Sequence, residues 1–188
     1  MMRNHEANGS PALIRLFVDI ALHRRGPQDV PPERRVFVGA LAAYLAVGAA
    51  VLWPSASDLG ELYAQLAVDL VLLVVLCSSL LALTGRAARV GQTLAALFGT
   101  GALLSLAALP FVWLVAGSIG DPATPPETLP PAALLGTLAL FGLLLASLLV
   151  TGHILRHALE WSYAAGVLAA TAYFALSTFV FRSLFPVT

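Results

Sequence analysis

Lysine is absent from this chain of 188 residues, and cysteine occurs once, as Cys77. A lone cysteine builds no disulfide framework within a chain and offers no metal-type spacing. Inside an apolar run, Cys77 reads as a small buried or lipid-facing residue. Charge is scarce: charged residues make up 11% of the chain, where an ordinary soluble domain carries about 25%. Ten basic and ten acidic residues cancel, so no basic surface points to nucleic acid. No Ser-His-Asp order, G-x-S-x-G motif, phosphate-binding glycine loop or H-E-x-x-H pair occurs. The segments between apolar runs are too short for a soluble catalytic domain. What is present instead is apolar residue, 59% of the chain. All ten bases are arginine, and with so much Ala and Leu this composition fits a GC-rich bacterial genome.

The apolar residues form five runs long enough to cross a bilayer, at about 36–53, 62–83, 90–116, 132–151 and 161–181. They predict an all-α fold: a polytopic membrane bundle of five transmembrane helices, residues 36–181, with a cytoplasmic segment 1–35 before it and a short far-side tail, 182–188. Within the first segment, residues 1–10 are polar and expected to fray. Residues 11–25 predict an amphipathic helix with Leu13, Leu16, Phe17 and Ile20 on one face. Such a stripe suits the headgroup layer, or packing on the protein's own helices. Gly26, Pro27, Pro31 and Pro32 then prevent continuous helix. Every run lies beyond Pro32, so residues 1–25 are expected to be dispensable for folding. Arg34 and Arg35 before VFV resemble a twin-arginine export signal. Four further runs, and no clear A-x-A cleavage site before Asp58, favour an uncleaved first span.

Arginine distribution sets the orientation. With five spans, one side collects Arg3, Arg15, Arg24, Arg25, Arg34, Arg35, Arg86, Arg89 and Arg156, and the other has Arg182 alone. The expected location is the bacterial inner membrane, N-terminus cytoplasmic and C-terminus on the far side. Trp53, Tyr63 and Trp113 then suit the outer interface, and Phe37, Trp161 and Tyr163 the inner one. The longest connector between spans, 117–131, has five prolines and the acids Asp121 and Glu127, and is expected to be extended.

The residue that draws attention is Asp69, inside the second run. An ionisable group at such a depth costs about 2.5–3.5 kcal/mol on insertion scales, so it is expected to face protein or water. Glu61, Gln65 and Asp69 recur every four residues and share one helical face. This face is the candidate intramembrane site: an ion, proton or ligand contact, or a buried carboxyl bonded to another helix. His153, His157 and Glu160 have a spacing that places two imidazoles and a carboxylate on one face, but nothing completes a metal site and Arg156 opposes a cation. A polar connector at the membrane surface, residues 153–160, is the simpler reading, with Glu160 capping or pairing with Arg156. Gly91, Ala95 and Gly99, and likewise Ser162, Gly166 and Ala170, form small-residue faces for close helix contact. Pro110 is expected to kink the third span.

The stretch GQTLAALFGTGALLSLAALPFVWL, residues 91–114, resembles the third span of the Yip1-type membrane families, where a polar Q-T-L start leads through small residues to a proline. The similarity extends over roughly 36–181. It implies five closely spaced spans, a cytoplasmic N-terminus and a role in membrane organisation or trafficking, with no catalytic residues and no cofactor. The sequence therefore predicts a non-enzymatic protein whose partners are the lipid bilayer and a membrane protein or second copy. A small transporter or ion-coupled subunit using Asp69 is the alternative, and a metal-dependent membrane enzyme a distant second.

Overall fold

The computed structural model describes residues 10–119 and 130–185. Residues 1–9, the 120–129 part of the proline-rich connector with Asp121 and Glu127, and residues 186–188 of the tail lie outside the described residues. The described chain is helical, without strands. It forms α1 (Ser10–Ala21), α2 (Arg34–Leu52), α3 (Leu59–Leu83), α4 (Val90–Ile119), α5 (Pro131–Leu159) and α6 (Tyr163–Leu184). The last five are long and apolar enough to cross a membrane.

Helix ends follow local chemistry. Asp58 caps α3 by accepting from the Glu61 amide at 2.8 Å, and Ser162 caps α6 through the Ala165 amide at 3.2 Å. Three helices end on a left-handed residue with the amide beyond it bonded back five residues. Gly85 (φ +72°) ends α3, with Arg86 N–H on the Leu81 carbonyl at 2.7 Å. His23 (φ 61°) and Glu160 (φ 54°) do the same after α1 and α5. There the conformation is uncommon for residues with a Cβ, and both side chains make contacts that hold it.

Helices α2, α4, α5 and α6 pack side by side in that order. On α4, Phe98 faces α2, stacking edge-on to Phe37 at 5.7 Å and tilted on Tyr44 at 5.3 Å. Phe37 therefore turns into the core instead of anchoring the inner interface. Leu97 lies with Leu73 and Cys77 of α3, while Gly99 lies under the Phe17 ring of α1. Residues 97 and 99 point about 200° apart on a helix, so α1 and α3 cover opposite faces of α4.

One expectation is corrected here. Helix α5 does not stop near Thr151: residues 153–159 continue it, and His153, Ile154, Leu155, Ala158 and Leu159 are buried. At 1.5 Å per residue, α4 and α5 run to about 45 Å, well over the roughly 30 Å of hydrocarbon. The surplus gives α1 and the following segment a protein surface to dock on. Leu16, Phe17, Ile20 and Val30 belong to the same buried cluster as α4 and α5, and Gln92 Nε2 donates to the Val30 carbonyl at 2.8 Å. The described part of the segment expected to be dispensable for folding thus covers Gly99 and part of the α4–α5 surface. Pro110 lies inside α4, which continues through it as helix.

Candidate functional site

The inward face of α3 is Leu62, Gln65, Leu73, Cys77 and Leu81, all buried, with Asp69 between them. Asp69 sits about 15 Å along the helix from Leu59. The Tyr44 hydroxyl of α2 donates to Asp69 Oδ2 at 2.5 Å. Tyr173 of α6 faces the same carboxyl, and Ser177 stands beside Tyr173, one turn further on. Three helices thereby meet at one carboxyl. Space for the Tyr44 ring comes from Gly101, where a Cβ would lie 2.9 Å from the ring edge. A hydrogen bond to a charged group contributes about 1.5–3 kcal/mol, so the Tyr44 phenol offsets much of the cost of placing a carboxylate at this depth.

The other two candidates of the same face form a separate set. Glu61 accepts from the backbone amide and hydroxyl of Ser57, at 2.7 and 2.5 Å, and from Gln65 Nε2 at 3.1 Å. Gln65 is 6% exposed, and its Oε1 has no partner. The sequence spacing therefore brings Glu61 and Gln65 into direct contact, while Asp69, one turn on, bonds across to other helices.

A second polar cluster lies where α1 meets α5. The His23 and His153 rings are 4.4 Å apart edge-to-face, and His153 and His157 4.7 Å apart. The His153 Nε2 is 2.8 Å from the Arg25 carbonyl, and His23 Nε2 lies 3.3 Å from the Leu149 carbonyl and 3.4 Å from the Tyr163 hydroxyl. Since a carbonyl only accepts, His153 Nε2 carries its proton and offers that nitrogen to no metal. Glu160 is not beside these rings. It ends α5 in the left-handed conformation and meets Arg86 at 2.8 Å and Arg89 at 2.7 Å; its partners are these and not Arg156, which lies over the Tyr163 ring. Hydrogen bonds from Arg86 and Arg89, with their charges, hold the Glu160 carboxyl below its ordinary value. Among the described residues, no group of three or more His, Cys, Asp or Glu is placed to hold a metal ion.

The small-residue faces divide. Gly166 lies against the Gly152 carbonyl, and a Cβ on Gly152 would sit 2.8 Å from backbone atoms of Val167. Gly166 and Ala170 are buried in this joint, but Ser162 serves as the α6 cap. On α4, Ala95 is buried and Gly99 covered by Phe17, while nothing lies within 4 Å of a Cβ on Gly91. Gly152, Tyr44, Tyr173 and His23 were not singled out from the sequence. The two tyrosines had a detectable signal: each lies mid-run, where a phenol needs a polar partner, not at an interface.

No protein-family model, no curated protein and no solved structure matches this chain.

Proposed function

We propose that this chain is a non-enzymatic, multi-pass protein of the bacterial inner membrane that works through helix contacts, as an assembly factor, a membrane-organising protein or a small subunit of a complex. The observation that carries this reading is the Tyr44–Asp69–Tyr173 clasp. The ionisable side chain at mid-span is bonded to α2 and faces α6, and broad apolar faces are the means of interaction. The Yip1-type likeness of residues 91–114 belongs to the same reading. Covalent cross-linking in native membranes, followed by purification, tests it: a specific membrane-protein partner or second copy is expected, and capture of lipid alone counts against it.

The arginine asymmetry supports a cytoplasmic N-terminus and a far-side C-terminus. Reporter fusions after Arg89 and Arg156 should give a cytoplasmic signal, and fusions after Asp58 and Asp121 the opposite. Helix α1 is read as interfacial. Its docked face is Leu16, Phe17 and Ile20, and a second stripe, Ile14, Val18 and Leu22, is exposed at a spacing suited to the acyl boundary. Arg15, Arg24 and Arg25 stand beside it for headgroups.

One observation favours a second reading, an ion-coupled subunit using Asp69. Gln65, buried a turn away on the same face, holds an acceptor oxygen that no group among the described residues satisfies.

A further inference from the structure

The polar groups along α3 are incomplete in one specific way. Glu61 fixes the Gln65 amide, because a carboxylate accepts only from the NH2 side. Oε1 is thereby turned away from Glu61, is buried, and has no donor. A buried carbonyl oxygen left this way costs about 1–3 kcal/mol. At the next turn, Asp69 Oδ2 receives the Tyr44 hydroxyl, and Tyr173 faces the same carboxyl. Side chains four apart on a helix stand about 5–6 Å from one another at Cβ, which a single water spans with a hydrogen bond to each.

The donor pattern identifies the ligand. A metal cation needs converging oxygen lone pairs, whereas here a phenol O–H already points at the carboxyl and the unmet need is for a donor. We propose that Asp69 is a proton-binding site reached from the Glu61 end of α3, with a water molecule bridging Gln65 Oε1 to the Asp69 carboxyl. It rests on the reading that Asp69 serves an ion, and it names that ion as the proton. Glu61 and Ser57 form the mouth, at the exposed start of α3. Gln65 and the water form the passage, and Asp69 the terminus. Uptake forms an O–H bond on Asp69, cancels its negative charge and leaves behind the water of the arriving hydronium. The groups facing Asp69 are Tyr44 from α2, Tyr173 backed by Ser177 from α6, and Gln65 on its own helix. α4 contributes Phe98 and Gly101 behind Tyr44. No salt bridge reaches Asp69 among the described residues.

The test is infrared difference spectroscopy on the full chain reconstituted in oriented liposomes, with pH stepped on one side at a time. The expected result is a carboxylic-acid carbonyl band that is missing in Asp69→Asn and responds to pH on the Glu61 side only. Gln65→Leu should slow the response about tenfold, as loss of one hydrogen-bonded link does, and Gln65→Glu should restore it. Gln65→Met serves if the Leu variant does not fold, and the sidedness of the wild-type protein requires no variant at all. A band that ignores pH on both sides overturns the proposal. So does one that follows the Arg89 side, or a Gln65 variant as fast as wild type. Parallel measurement of proton flux separates the two claims: a sided band without flux supports the binding site and removes the transport reading, while flux that is indifferent to Gln65 keeps transport and removes this route.

Discussion

The α5–α6 joint and the α3 seam fasten helices in opposite ways. At Gly152 and Gly166 the two backbones touch, with no side chain between them. Contact there is dense, non-directional and made by what has been left out. Around α3 the neighbours stand further off, and the connection depends on long side chains meeting at one carboxyl. The first kind of joint has one geometry. The second is a set of hydrogen bonds that can be exchanged for others without separating packed backbones. Motion within the bundle is therefore expected at α3 before α5 or α6.

Substituting Gly166→Val attacks the first joint. The new side chain meets the Gly152 carbonyl, a backbone atom that cannot rotate away. Overpacking costs about 1–3 kcal/mol where side chains can shift, and here the loss should reach or exceed the upper end. Thermal unfolding in detergent should show a collapse of the folded fraction, and a wild-type melting curve would refute backbone contact.

Asp69→Leu attacks the second. It strands the Tyr44 hydroxyl and should cost about 1–3 kcal/mol. The gentler Tyr44→Phe removes one donor and should cost about 1 kcal/mol. A double-mutant cycle between positions 44 and 69 should give strong coupling, and additivity would show that the bond does not contribute. If the contrast between joints holds, hydrogen exchange after either change should rise in α3 and leave the 152–166 joint protected.

The smallest effect is expected at Glu160, an exposed carboxyl between Arg86 and Arg89. Its folded-state value is depressed, so the clamp contributes above the ordinary glutamate value of 4.5 and is lost as pH falls through the lower folded value. Glu160→Gln should abolish this acid dependence, seen as equal protection of the 84–90 amides, relative to their intrinsic exchange rates, at neutral and acidic pH. Added salt should weaken the clamp in the unmodified protein.

The five apolar helices were legible because length and composition alone define a span. The shared face of Glu61, Gln65 and Asp69 was legible because helical periodicity is local. The partners of Asp69 were not: Tyr44 and Tyr173 lie in α2 and α6, and no local pattern announces which helices will be neighbours. The extension of α5 through His153 was hidden by its polarity, which reads as connector until α1 is known to cover it. The amphipathic stripe at Leu16, Phe17 and Ile20 announced a buried face but not what buries it. Glu160 was misdirected to Arg156 because proximity in sequence stood in for proximity in space.

The docking of α1 has a consequence for how the chain is made. Phe17 and Ile20 leave the ribosome well before the surface they cover, which includes Gly99 and α5 as far as Ile154. At about 5–20 residues per second, they wait on the order of ten seconds for it. During that interval the growing chain carries an unsatisfied greasy segment, which needs the bilayer surface or a chaperone as temporary shelter. A segment made before its docking surface is seated only after that surface exists, so its arrival reports that α4 and α5 are in place.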